Sequence, residues 1–319
     1  MNRSALVRAA GTIALIALAF PAGSAGQGQP APVTLRLLAS PVDDVMPILY
    51  AQRAGLFRQA GLNVVLEHGS SGGAVAAAVA GGAVEIGKVN IVAIISAHAR
   101  NVPMTIVAPA AIYDPKTPDA VLVTRKDSPI VSARDLIGKT VGAPSLAEIG
   151  GMAVQAWLDS NGVDWHRTQF IEMGYSALLA ALEAGRVQAI SLVKPYISEA
   201  VDSGKVKVLA LSYSAIAPRF LESVWVADSA YVEKNKAAIA AFQRVVAQAS
   251  AYTNAHQSET VDLLATWASL DPQQAAHIPR MTTGTTLDPR DIQPVIEVAV
   301  KYGLIAKSFD ARDMIARVP

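Results

Sequence analysis

The residues equipped to hold a small molecule sit where predicted strands end. Ser40 and Asp43 follow the run Val33 to Ser40; Ser70, Ser71 and Gly72 follow Asn63 to Gly69; Asn90 closes Glu85 to Asn90. Ser145 and Glu148 follow Lys139 to Pro144, Tyr175 follows Thr168 to Met173, and Lys194 and Tyr196 follow Gln188 to Val193. Nearly all of them open helical patterns, so a solute placed among these turns meets several helix N-termini, whose free N–H groups point at it. Each such end favours negative charge by about 0.3–1 kcal/mol when exposed and by more when enclosed. Small anions are the natural guests of such a cradle.

Several of these residues have a plainer use. Ser70 or Ser71 can serve as an N-cap, a role that contributes about 1 kcal/mol, although the glycines behind them permit close approach of a ligand. Asn90 can cap the helix of Ile91 to Arg100. Asp43, Asp44, Glu148 and Glu172 lie near strand ends and oppose an anion; Asp44 and Glu148 read first as dipole partners in the first turn of a helix. If two of these acids face the ligand, the guest is cationic, zwitterionic or a hydrogen-bond-donating heterocycle, on which Tyr175 and Tyr196 would stack.

Catalytic constellations are missing from the sequence. His68 beside Glu67 would occupy opposite faces of a strand and so serve different surfaces. His98, His166, His256 and His277 show no metal-ligand spacing, and no P-loop string or serine elbow occurs. Cysteine is absent, which removes disulfides, thiolate metal sites, a thiol nucleophile and a lipid-bearing first residue. No enzyme activity and no cofactor are expected.

The elements that position these turns alternate. Strands are predicted at Val33 to Ser40, Asn63 to Gly69, Glu85 to Asn90, Met104 to Ala110 and Ala120 to Lys126, then at Lys139 to Pro144, Thr168 to Met173, Gln188 to Val193 and Val206 to Ser212. Helical patterns fall between them, and from about Asp228 onward the chain turns mainly helical, over Ala237 to His256, Glu259 to Ser269, Pro289 to Tyr302 and Ala311 to Arg317. The rhythm is that of an α/β protein with mostly parallel sheets. Two lobes are expected, residues 26–122 with 212–319 and residues 123–211, joined by two crossings around a cleft that closes by hinge bending.

Arg3 and Arg8, the apolar run Gly11 to Phe20 and the small residues Gly23-Ser24-Ala25 read as a signal peptide over residues 1–25. The apolar run is shorter than the roughly 20 residues of a membrane span. Removing it leaves 294 residues with 25 basic and 26 acidic side chains, a formal charge of −1, which gives no electrostatic case for nucleic acid. A freely diffusing periplasmic protein is expected.

The ordered strings YAQRAGLFRQAGLNV, GSSGGAVAAAVAGGAVEIGKVN, PMTIVAP, DLIGKTVGAP, ALLAALEAGRVQA and KYGLI, spread from Val33 to about Phe309, resemble the solute-binding proteins of ABC importers. Within them the chain is similar to the branch serving nitrate, sulfonates, taurine and thiamine-pyrimidine precursors. The resemblance implies a type II periplasmic binding fold: two α/β lobes, two crossover strands, a central cleft and a helical C-terminal tail. It also implies a monomer that captures a small organic solute, a sulfonate or carboxylate before a pyrimidine heterocycle, and delivers it to a membrane permease driven by ATPase subunits. A ligand-binding sensor module would use the same cleft. Two positions depart from the family's pattern: Lys194 stands before Pro-Tyr where an acid is usual, and Gln188 stands where Asp is usual. Both shift the second lobe toward positive charge, and Lys194 becomes a candidate counter-charge for an anion. Pyrimidine synthases and a desulfinase of the same superfamily rely on cysteines that this chain lacks.

Overall fold

In the computed structural model, residues 31–69, 72–146, 148–194 and 196–319 are described, without the side chains of 176, 198 and 199. The expected signal peptide and the turn residues Ser70 and Ser71 lie outside the described residues. Twelve strands are present among the described residues: β1 (Val33–Ala39), β2 (Leu62–His68), β3 (Ile86–Asn90), β4 (Met104–Pro109), β5 (Ile112–Tyr113), β6 (Ala120–Arg125), β7 (Thr140–Ala143), β8 (Gln169–Glu172), β9 (Ala189–Val193), β10 (Val206–Ala210), β11 (Phe220–Leu221) and β12 (Ser223–Asp228). The helices are α1 (Met46–Arg53), α2 (Leu56–Gln59), α3 (Gly72–Ala80), α4 (Ile91–Ala99), α5 (Ile149–Ser160), α6 (Tyr175–Glu183) and α7 (Tyr196–Asp202). The C-terminal part adds α8 (Ser229–Lys234), α9 (Lys236–Ala255), α10 (Val261–Ala268), α11 (Pro272–His277) and α12 (Gln293–Lys301). No helix among the described residues is long and apolar enough to cross a membrane.

Two five-stranded sheets form the two α/β lobes. The first runs in the order β2-β1-β3-β12-β4 and the second in the order β10-β6-β9-β7-β8. In the first sheet β1 pairs in parallel with β2 and β3, while β12 runs antiparallel to β3 and β4. The sequence reading missed β12: its run SVWVAD is short and adjoins the helical tail, and its place in the centre of a sheet is set by partners more than a hundred residues away. Strands β3, β6, β9 and β12 are buried along almost their whole length, as strands covered by helices on both faces must be. Edge strand β2 instead alternates buried and exposed residues.

The chain leaves the first sheet after β4 and returns to it at β12, and the two connecting segments lie side by side. There β5 and β11 form an antiparallel ribbon that pairs Tyr113 with Phe220 and Ile112 with Leu221. The helical tail packs back on the first lobe. Ala238, Ile239, Phe242, Val245, Val246 and Ala249 recur at helical spacing along α9 and are buried in one cluster with Leu35, Leu37, Ile48, Phe57 and Trp225. A second cluster joins α3, α4 and α12 to Ile149, Met152 and Ala153 of α5, so apolar packing runs from one lobe into the other. At the far end of α5, Asp159 bonds Lys301 Nζ and the Tyr302 hydroxyl, both at 2.9 Å. The tail's last predicted helix, Ala311 to Arg317, is only a 3-10 turn over Ala311–Met314, after which Ile315 bridges to Ile106 beside β4.

Candidate functional site

A cleft of about 320 Å³ lies between the sheets, beside the crossing segments. Turns from both lobes line it, and its wall contains Ser40, Gly72, Asn90, Glu148, Tyr175 and Lys194 of the sequence candidates. Two helices of the second lobe begin there. Glu148 and Gly174, the N-cap residues of α5 and α6, make no capping side-chain bond among the described residues. Asn90 Oδ1 accepts the Val92 N–H at 2.8 Å as a cap, and the residue lines the cleft. Gly151 lets α5 seat against the preceding turn, since a Cβ there would lie 2.5 Å from the Ser145 carbonyl oxygen.

The other sequence candidates are placed differently. Asp43 is not among the lining residues; its Oδ2 accepts the Met281 N–H at 2.7 Å and faces Arg280 Nε at 3.2 Å. Burial holds the Asp43 carboxyl above its ordinary range, against the pull of those two donors. Ser145 sits beside the cleft, with its hydroxyl 3.4 Å from Glu172 Oε1, which also accepts the Leu146 N–H at 2.5 Å. Glu172 thus braces the turn before α5. Tyr196 reaches the site through Tyr175: the rings stack at 4.6 Å with an interplanar angle of 20°. Burial, then Glu148, raises the Tyr175 hydroxyl well above its usual range. Gln188 is a backbone brace, accepting the Thr140 N–H and donating to the Gly185 carbonyl, and does not line the cleft.

Lys194 lines the cleft but is not free to act as a simple counter-charge. Its Nζ donates to the Arg280 carbonyl at 3.3 Å, and its charge acts on Asp43, Asp119 and Glu222.

The charged floor of the cleft escaped the sequence reading. Asp44, read there as a helix-turn acid, is buried and pairs with Lys88 Nζ in a short contact, while its Oδ2 accepts the Ser223 hydroxyl at 2.6 Å. Ser223 Oγ in turn accepts the Ala111 N–H at 2.9 Å, which ties the pair to both crossing segments. Beside it lie Asp119, just before β6, and Glu222, just before β12, which are 3% and 8% exposed. Among the described residues Asp119 Oδ1 and Glu222 Oε1 find no donor. The two side chains are within hydrogen-bonding reach of each other, with Glu222 carrying the proton and Asp119 accepting it. Burial first, and then the charge of Asp119, pushes the Glu222 carboxyl well above the ordinary carboxylate range. The only signal in the sequence is positional: Lys88 interrupts an apolar strand, and each of the two acids immediately precedes one.

The lining residues thus carry four carboxyl groups, on Asp44, Asp119, Glu148 and Glu222, against the ammonium groups of Lys88 and Lys194. Lys88 is spent on Asp44. The site has two unlike ends, helix N–H donors from the second lobe and carboxylate acceptors at the crossings. A more apolar cavity of about 250 Å³ adjoins it, lined by Pro41, Leu264, Leu270 and Ile278 and sharing Val42, Lys194 and Met281 with the cleft. Among the described residues no group of three His, Asp or Glu side chains is placed to hold a metal ion.

A model of the NMT1/THI5 like family matches residues 43–260. No curated protein sequence matches the chain. Among solved structures, the periplasmic aliphatic sulphonate binding protein SsuA from Escherichia coli superposes with a TM-score of 0.75 at 22% identity, over 90% of this chain and 93% of that one. The ligand binding component of an ABC-type import system from Staphylococcus aureus gives 0.71 at 14% identity, over 90% and 97%. The desulfurization enzyme DSZB has the same fold, with a TM-score of 0.66 at 14% identity over 89% and 96%.

Proposed function

The chain belongs to the NMT1/THI5-like family, and from that premise we propose that it is the extracytoplasmic solute-binding component of an ABC importer. It captures a small organic solute between its lobes and hands it to a membrane permease with ATPase subunits, working in the periplasm as a monomer. The observation that carries this reading is the cleft itself: about 320 Å³, enclosed by turns of two lobes whose crossing segments meet at its floor. The likeness to an ABC-type ligand binding component and to sulphonate binding proteins supports it.

The solute carries an anionic group, a sulfonate or carboxylate, that meets the open N-termini of α5 and α6 as the lobes close. Closure is driven by the solute's greater affinity for the shut form. Ser40, Asn90 and Ser145 supply the remaining hydrogen bonds, with Gly72 allowing close approach, and Ser70 and Ser71 are further candidates from the sequence. A catalytic role is disfavoured because the chain has no cysteine to serve as a nucleophile.

The experiment is a thermal-shift screen of the protein without residues 1–25 against sulfonates, carboxylates, nitrate, amino acids and pyrimidine heterocycles. A ligand of the native state raises Tm by mass action, and the same ligand should reduce the radius of gyration in solution scattering. No shift with any member of the screen would defeat the binding reading.

A further inference from the structure

We propose that the Asp119–Glu222 pair is a specificity element for an ammonium group. The inference rests on the solute-binding reading and deepens it, since it gives the second end of the cleft a chemistry opposite to that of the helix N-termini.

Three observations carry it. Both acids line the cleft, yet they are more than nine-tenths buried, so water solvates neither of them well. Each has a buried carboxyl oxygen that finds no donor among the described residues. Both are fixed by backbone bonds at the crossings: the Asp119 carbonyl accepts the Lys194 N–H at 3.0 Å, the Glu222 N–H donates to the Ala111 carbonyl at 2.9 Å, and the Glu222 carbonyl accepts the Ile91 N–H at 2.9 Å. The main chain that carries the two carboxyls is therefore fixed at the crossings.

The groups that face the pair are Lys194, Asp43, Asp44, Tyr113 and Tyr213. Only Lys194 among them is a cation, and it is shared with Asp43, so a full second negative charge on the pair is not compensated from within the protein. An ammonium group supplies the missing charge and three donors in one contact. When it docks, Glu222 loses its proton to solvent, the pair becomes doubly negative, and the ammonium restores the charge present before. An anion offers nothing to this end of the cleft. The solute is then a zwitterion whose nitrogen lies at the crossings.

The test uses a series of one carbon skeleton: 3-aminopropanesulfonate, propylammonium and 1-propanesulfonate, titrated by calorimetry in two buffers of different ionisation enthalpy between about pH 5 and 7. The expected result is that the two amines bind with release of about one proton each, and that the amine raises affinity over 1-propanesulfonate by about 10- to 100-fold, as one charge-assisted contact provides. Glu222→Gln and Asp119→Asn should remove that preference and the proton release. Equal affinity for 3-aminopropanesulfonate and 1-propanesulfonate, or amine binding without proton release, overturns the proposal and leaves the solute-binding reading standing. If either variant fails to fold, the proton count on the unmodified protein still decides. Absence of binding by all three compounds overturns this inference, and the solute-binding reading then depends on the wider screen.

Discussion

Replacing Glu222 by Gln should change how the stability of the protein depends on pH, and by an amount that linkage fixes. In the unfolded chain this carboxyl ionises near its ordinary value of 4.5; in the folded protein burial and the neighbouring Asp119 hold it well above that. Between the two values the native state binds one proton more than the unfolded state, so stability is fully present below the unfolded value and is lost as pH rises toward the folded one. The slope for one proton is about 1.4 kcal/mol per pH unit. Glutamine keeps a donor toward Asp119 and does not titrate, so the variant should lose stability less steeply with pH by that amount. Asp43, which burial also raises, is unchanged in both proteins, and the difference between their curves isolates Glu222. The assay is urea denaturation of both proteins at intervals between about pH 5 and 8. Parallel curves would show that no proton is held at this position and would remove the shared-proton account of the cleft floor.

Three further outcomes are expected. Lys88→Met should destabilise the protein by about 3–5 kcal/mol in urea denaturation, because it leaves the buried Asp44 charge without its cation; adding Asp44→Asn should restore much of the loss, and an additive double variant would refute the pairing. Gly87→Ala should cost about 1–3 kcal/mol, since a Cβ there lies 2.6 Å from methyl groups of Val75 and Val79 where α3 seats on β3; an unchanged Tm would mean that the helix can retreat freely. Asp159→Ala should loosen the contact between α5 and α12 and enlarge the ligand-free radius of gyration. Burial raises the Asp159 carboxyl, but Lys301 and Tyr302 prevail and hold it below its ordinary range. This bridge therefore stabilises above the unfolded value near 3.8 and fails as pH falls through the lower folded one, so scattering that shows no expansion in acid would count against it.

The sequence alone determined the parts of this protein that depend on local periodicity and composition. The alternation of apolar runs with helical patterns located β1 to β4 and β6 to β10 to within a residue or two, because a buried strand must be apolar along its length and a helix must show its stripe. The cleft positions Ser40, Gly72, Asn90, Glu148, Tyr175 and Lys194 were legible because ligands of such sheets meet the turns that follow strands. Zero cysteines settled what chemistry was out of reach.

Only the tertiary structure decided which charges face each other. Asp43 and Asp44 are adjacent in sequence, yet the short turn before α1 aims the first at Arg280 and the second at Lys88, and nothing local distinguishes them. Asp119 and Glu222 are 103 positions apart and become one acid pair because the two crossings run side by side through β5 and β11. The strand β12 is placed in the middle of a sheet by β3 and β4, and its six residues carry no signal of that order. Charge pairing and strand order depend on long-range packing, where a residue's environment is made by partners that one-dimensional spacing does not contain.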